Sequence, residues 1–174
     1  MGKCLTNRLI SELGGDNVVA ADISSLPIHF DCKEEHVDIT DYKQYERVVM
    51  ENKIDYIFHL SALVSAVGEK FPDKAMQVNI HGFLHCMDLA RKAKAGVFFP
   101  STILVFGGDK TPKINTPTNT ILNPPLIYSV SKVFAEHLGT YYYNKFGVDF
   151  RCLRYPVVVS SEPYEFLGTA VYST

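Results

Sequence analysis

Short apolar runs alternating with longer amphipathic ones constrain this chain more than any other feature. The runs are Asn17 to Ala21, closing on Asp22, IDYIFHL from Ile54 to Leu60, Gly96 to Pro100, and Val148 to Leu153, with a shorter strand expected around Glu35 to Val37. Helical patterns lie between them. Leu5, Leu9, Ile10 and Leu13 share one face, and Gly14-Gly15-Asp16-Asn17 supplies stop and turn residues behind it. Asp41 is a cap for a helix to Asn52, and Pro72 suits the first turn of a long helix reaching Lys94. A further helix runs from Tyr128 to Phe146 with Gly147 as its stop, after a surface loop from Gly107 to Pro125. This alternation is that of βαβ units around a parallel sheet, so the expected fold is α/β, a doubly wound parallel sheet of Rossmann type. The pattern opens with a helix where such a sheet opens with a strand. The expectation is a single NAD-binding domain over residues 1–174 whose first strand is missing, and in the 3-2-1-4-5-6 order that strand is central.

Charge and cysteine usage exclude several function classes. The 174 residues carry a net charge of −2 with acidic and basic groups interspersed, which gives no basic footprint for nucleic acid or an anionic membrane. With 47% apolar residues the chain can bury a sizeable core. Cys4, Cys32, Cys86 and Cys152 are scattered without a C-x-x-C pair, and are expected to be reduced and mostly buried rather than to bind metal. No apolar run is long enough to span a bilayer and no signal or Arg-rich presequence opens the chain, so an intracellular, soluble protein is expected.

The chemistry gathers around Tyr128-Ser-Val-Ser-Lys132, which sets a phenol and an ammonium at i, i+4 on one helical face. An adjacent lysine favours the phenolate, and such a tyrosine can take a hydroxyl proton during oxidation by a nicotinamide coenzyme. Earlier, PSTILVFG places Ser101 and Thr102 at the carboxyl end of a strand, where ligands bind in open α/β sheets. Their hydroxyls could bond a reacting oxygen or simply cap a turn. Asp22, Asp38-Ile39 and Leu60-Ser61-Ala62 end successive strands. A carboxylate at the Asp22 position can bind ribose hydroxyls and would repel a 2′-phosphate, favouring NAD. His81 and His85 have the i, i+4 spacing of a metal pair but no third ligand nearby, and are expected to be a solvent-facing or inter-helix pair. Tyr141-Tyr142-Tyr143 is expected to be helix packing with a wet edge.

At HLSALVSAVGE (His59 to Glu69), VNIHG (Val78 to Gly82), PSTILVFG, IYSVSKVFAEHLG (Ile127 to Gly139) and KFGVDFRCLRYP (Lys145 to Pro156) the chain resembles the extended short-chain dehydrogenases, and within them the L-threonine 3-dehydrogenases. The resemblance covers essentially the whole chain. It implies oxidation of L-threonine by NAD to 2-amino-3-oxobutanoate, with Tyr128 as general base, Lys132 on the nicotinamide ribose, and Ser101 and Thr102 on the substrate hydroxyl. It implies a coenzyme lining of Gly2, Asp22, Ile23, Ser24, Asp38, Ile39, Leu60, Ser61, Ala62, Asn79, Pro156 and Val158 besides Tyr128 and Lys132. Ser65, and Thr169 in LGTAVY (Leu167 to Tyr172), would contact the amino acid, together with Ser101, Thr102 and Tyr128. It also implies a homodimer and a mitochondrial compartment, with the cytoplasm as alternative.

The chain departs from that pattern at several points. Gly2 corresponds to the last glycine of the family's pyrophosphate-binding turn, and the two earlier glycines have no counterpart. Ser129 and Val157 replace family glycines, Ala170-Val171 replaces Thr-Asp, and the small substrate domain is largely absent. The leading expectation is therefore a threonine dehydrogenase impaired by truncation at both ends. A non-catalytic remnant acting in binding, and a nucleotide-sugar epimerase or dehydratase, are the alternatives. SALVSAVGE argues against the second of these.

Overall fold

A computed structural model describes residues 1–24, 29–107, 111, 112 and 114–158. It contains helix α1 (Gly2–Leu13), strands β1 (Val19–Asp22) and β2 (Lys33–His36), helix α2 (Tyr42–Glu51), strand β3 (Tyr56–Phe58), helices α3 (Ser65–Lys70), α4 (Pro72–Met76) and α5 (Gly82–Ala93), strand β4 (Gly96–Thr102), helix α6 (Ile127–Phe146) and strand β5 (Phe150–Tyr155). All pairings are parallel and helices flank them, which is the expected Rossmann-type architecture.

The sheet is in two parts. β1 pairs with β2 from Val19↔Lys33 to Asp22↔His36, while β3, β4 and β5 form a separate ladder with β4 in the middle. Among the described residues no ladder joins β1 to β3, so each keeps an unpaired edge. The parts nevertheless share one core. Val37 beyond β2, Ile57 of β3, Phe83, Met87 and Leu89 of α5, and Val97 and Phe99 of β4 form a single buried cluster, and Val19 of β1 packs against it. A doubly wound order places the strand preceding α1 between these two edges, which accounts for a break at this position.

Capping chemistry sets the helix ends as the sequence suggested. The Asp41 carboxylate accepts from the amides of Lys43 and Gln44 at the start of α2, and Gly147 closes α6 at φ 70. The helix expected from Pro72 to Lys94 is continuous in space but contains a π-helical turn at Gln77–His81, and Lys94 terminates it in the left-handed region. Strand limits shift. Asn17 belongs to a 3-10 turn instead of opening β1, β2 lies earlier than Glu35–Val37, and β3 is only the middle of IDYIFHL, although the His59 amide still bonds the Phe98 carbonyl. β4 extends through Ser101 and Thr102, two residues beyond expectation, because β5 pairs with it as far as Thr102↔Tyr155. Helix α3, formed by the end of the SALVSAVGE motif and Lys70, was not expected as a helix.

The cysteines are free, as expected, but only Cys86 is buried; Cys4 is exposed and Cys32 and Cys152 are intermediate. His85 donates through Nδ1 to the Ile39 carbonyl at 2.9 Å and meets the Tyr42 ring edge-on. His81 is exposed, and the described residues contain no His/Cys/Asp/Glu group able to hold a metal. Tyr142 packs against Phe146 while Tyr141 and Tyr143 remain exposed. No described helix is long and apolar enough to cross a membrane.

Candidate active site

The carboxyl ends of β1, β2, β3 and β4 and the amino end of α6 carry most of the candidate residues. On α6, Tyr128 faces partly outward while Lys132 points into the protein, at 4% exposure. The Lys132 ammonium donates to the Pro100 carbonyl at 2.7 Å and lies over the Phe99 ring, 4.2 Å from its centroid. It stands 5.4 Å from the centre of the Tyr128 ring. Burial pulls the Lys132 pKa down to about 8. The expected lowering of the Tyr128 pKa by this lysine is not observed, since burial raises it.

The two hydroxyls ending β4 are in different situations. Ser101 Oγ donates to Glu136 Oε1 at 2.5 Å. Its proton is thus committed. Arg154 of β5 holds the same carboxylate from Nε at 3.0 Å and Nη2 at 2.7 Å, donates from Nη1 to the Thr118 carbonyl, and covers the Phe106 ring. Burial alone would push the Glu136 carboxyl up, but the bonds from Arg154 and Ser101 outweigh it and hold it below the ordinary range. Thr102 Oγ1 accepts from the Leu104 amide at 3.2 Å, capping a 3-10 turn at Ile103–Phe106. That bond spends a lone pair, not the proton, so Thr102 is the better donor to an incoming oxygen. A shallow groove of about 420 Å³ borders this network between residues 118–122 and α6.

Asn79 sits in the π-helical turn, a device frequent at functional sites. Its amide clamps the strand-end loop from both sides, accepting from the Leu63 amide at 2.7 Å and donating to the Leu63 carbonyl at 2.9 Å. It also donates to Ser131 Oγ, which in turn donates to the Tyr128 carbonyl. Asn79 thereby ties the segment after Leu60-Ser61-Ala62 to the helix of Tyr128.

The other candidates lie along the strand ends. A methyl placed on Gly2 would stand 3.7 Å from Leu60 Cδ1, so the amino end of α1 abuts the end of β3. Asp22 Oδ1 accepts from the amide and the hydroxyl of Ser24, both at 2.9 Å. Ile23 beside it is exposed. Asp38 Oδ1 is bonded by the Thr40 hydroxyl and amide, which hold its carboxyl below the usual range. Ser65 is the first residue of α3. Pro156, Val157 and Val158 follow β5 and are exposed. Thr169, with the whole Leu167–Tyr172 segment, lies outside the described residues.

Three residues of this region were not singled out from the sequence. Glu136 stands at i+4 from Lys132, a spacing that could have drawn attention to it. Glu69 and His59 are the other two. The His59 ring is 3% exposed between Phe83 and Phe99, and among the described residues its Nε2 has no hydrogen-bond partner. The buried Ser129 hydroxyl, where the family pattern has glycine, shares that condition. Such an unpaired group costs about 1–3 kcal/mol. Burial, and secondarily the Lys132 charge, pull the His59 pKa from 6.5 to about 3.

The sign of the resulting pH dependence is determined. Below pH 6.5 the unfolded chain takes up a proton that the folded chain refuses until about pH 3, so folding stability falls as pH falls through that window. The full loss from this group is roughly 4–5 kcal/mol. Urea midpoints measured at pH 7 and pH 4 should converge appreciably in His59→Phe relative to the parent. An unchanged pH dependence in that variant would remove His59 as the source.

Helix-flanked parallel strands with such residues at their carboxyl ends define the dehydrogenase and epimerase class of nucleotide-dependent folds. Residues 1–173 match the NAD dependent epimerase/dehydratase family, and the chain belongs to it. Within that family it is 42% identical over 175 residues to a mitochondrial L-threonine 3-dehydrogenase of Bos taurus, a match covering 99% of this chain and 47% of that protein. An L-threonine dehydrogenase structure from Phytophthora infestans superposes with a TM-score of 0.90 at 42% identity, over 96% of this chain and 54% of the other. A UDP-glucose 4-epimerase from Thermotoga maritima shares the fold at a TM-score of 0.83 and 24% identity, covering 91% of this chain and 52% of that one. The chain spans about half the length of the curated relatives it matches.

Proposed function

We propose that this chain carries the reaction centre of an L-threonine 3-dehydrogenase, oxidising the C3 hydroxyl of L-threonine to 2-amino-3-oxobutanoate with NAD. The observation that carries the reading is the Tyr128–Lys132 pair, its lysine anchored on the Pro100 carbonyl at the carboxyl edge of β4. Identity to threonine dehydrogenases over nearly the whole chain supports it.

The chemistry of the residues at the strand ends suits the coenzyme. Asp22, with an exposed carboxylate at the end of β1, would hold the adenosine ribose, and Asp38 and Ile39 would flank the adenine. Gly2 would stand near the pyrophosphate, Leu60, Ser61, Ala62 and Asn79 would line the middle, and Lys132, Pro156 and Val158 the nicotinamide side. When bound, NAD supplies the acceptor for the hydrogen and electron pair that leave C3. Tyr128 takes the hydroxyl proton, and Lys132 holds its charge close to the phenolate that does so. Thr102 donates to the developing carbonyl oxygen, Ser101, its proton held by Glu136, borders the substrate hydroxyl, and Ser65 and Thr169 contact the amino acid.

In this reading a homodimer forms through α6, whose exposed Val130 and Tyr141 offer apolar contact area. The mitochondrial names of the bovine and porcine relatives support that compartment.

The test is threonine-dependent NADH formation, together with calorimetric titration of NAD and NADP. Asp22 would meet a 2′-phosphate with like charge, a repulsion of about 1–3 kcal/mol, or roughly ten- to a hundredfold in affinity. NAD should therefore bind the more tightly, and Asp22→Asn should narrow the difference. Equal or tighter binding of NADP to the parent would remove Asp22 from the site. Turnover of a UDP-sugar in place of threonine would overturn the substrate assignment.

A further inference from the structure

We infer that Glu69 is a positioning residue for Tyr128, acting as the amino-terminal cap of α6 from outside that helix; the role rests on the reading of Tyr128 as the base. The first amides of a helix have no partner within it and need an acceptor. α6 supplies none of its own. Its N-cap position is Leu126, which has no side-chain bond to offer, and its first turn has no acidic residue. The acceptor comes instead from α3, where Glu69 Oε1 takes the Ile127 amide at 2.8 Å, across 58 positions of sequence. A carboxylate is the better acceptor here because the amino end of a helix carries partial positive charge. Tyr128 follows the capped residue directly, so the anchor acts at the turn from which the phenol projects.

A second contact fixes the same junction. Gly68 is buried under α6, and a methyl on it would stand 3.3 Å from Ile127 Cγ2 and 3.6 Å from Ala75 Cβ. The close approach of α3 that Gly68 permits brings the next side chain within reach of the Ile127 amide. α3 also begins at Ser65, the residue proposed to touch the amino acid. One six-residue helix therefore carries the substrate contact at one end and anchors the base-bearing helix at the other. With Asn79 and Ser131 reaching the Tyr128 carbonyl, the first turn of α6 is held from both α3 and the π-helical turn.

The test compares Glu69→Ala with Glu69→Gln, which keeps a side-chain acceptor, and with Glu69→Ala combined with Leu126→Ser, which supplies a local cap. Displacing a catalytic group slightly costs up to about a hundredfold. For Glu69→Ala the expected result is a fall in kcat of about tenfold or more, with KM for NAD within about twofold, and faster hydrogen exchange at residues 127–130. Both other variants should recover most of the kcat and slow the exchange again. A parent-like kcat in Glu69→Ala, or an impairment that neither variant relieves, would overturn the assignment. Should the parent turn over no threonine, the proposed function falls while the cap stays measurable. The 13Cζ resonance of Tyr128, identified by its loss in Tyr128→Phe, should then move in Glu69→Ala and return in the Leu126→Ser combination. An unmoved resonance with unchanged exchange would overturn the positioning role by itself.

Discussion

A strand of about five aliphatic residues fused ahead of Gly2 through a glycine turn should raise the unfolding free energy of this chain by up to roughly 10 kcal/mol, at ~2 kcal/mol per buried side chain, and strengthen NAD binding. The motive is the divided sheet. β1 and β3 each have one ladder partner, and the residues beside them pack on one core. A parallel strand between them would be covered on both faces and bonded along both edges, which is the placement with the greatest burial per residue. Unpaired ladder amides away from water are costly, so the edges contribute besides the burial. Net domain stability is usually about 5–15 kcal/mol, so the expected gain is comparable to the whole margin. The glycine turn would bring backbone amides to the pyrophosphate at the amino end of α1. Denaturant unfolding and NAD titration of the 174-residue chain with and without the fusion measure both effects. Without it, the chain is expected to be weakly stable and to turn over threonine only slowly. If it instead unfolds cooperatively from a stable monomer and turns over threonine as fast as the fused protein, the open position between β1 and β3 has no bearing on stability or activity.

Tyr128→Phe should abolish threonine-dependent NADH formation, by at least about a hundredfold in kcat, while coenzyme affinity changes little. Phenylalanine keeps the half-buried ring and removes only the ionisable hydroxyl. Lys132→Ala should impair both turnover and coenzyme affinity, since it removes the ammonium that is bonded to the Pro100 carbonyl under the ring. Stability offers an internal control, because burial has lowered the Lys132 pKa to about 8 and removing a buried charge can offset the loss of its packing. A Tyr128→Phe protein that forms NADH at the parent rate would dismiss this tyrosine as the base.

The sequence carried the architecture because its signals are local. Asp41 and Gly147 mark helix ends through their own capping chemistry, and i, i+4 spacing alone placed Tyr128 and Lys132 on one face. Apolar runs marked β1, β3, β4 and β5 approximately, yet β4 was read two residues short. Pairing with β5, a non-local event, carries it through Thr102.

What side chains do in the site was less legible. Ser101 and Thr102 look equivalent in sequence, but the hydroxyl of one donates to Glu136 while a 3-10 turn uses a lone pair of the other. Lys132 was expected to favour the Tyr128 phenolate, and burial of the phenol raises its pKa instead. Glu69 reads as an ordinary surface acid until α3 is packed on α6.

By itself, then, the sequence determined the α/β class, the order of elements, the Tyr128–Lys132 pair and the resemblance to threonine dehydrogenases, because composition, period and motif spacing act over a few residues at a time. Only the tertiary structure decided that the sheet stands in two parts on one core, that Lys132 and His59 are buried with lowered pKa values, and that Glu69 accepts from the Ile127 amide and Glu136 from Ser101. Those properties depend on which distant groups exclude water from one another, and that is fixed only when the helices close over the strands.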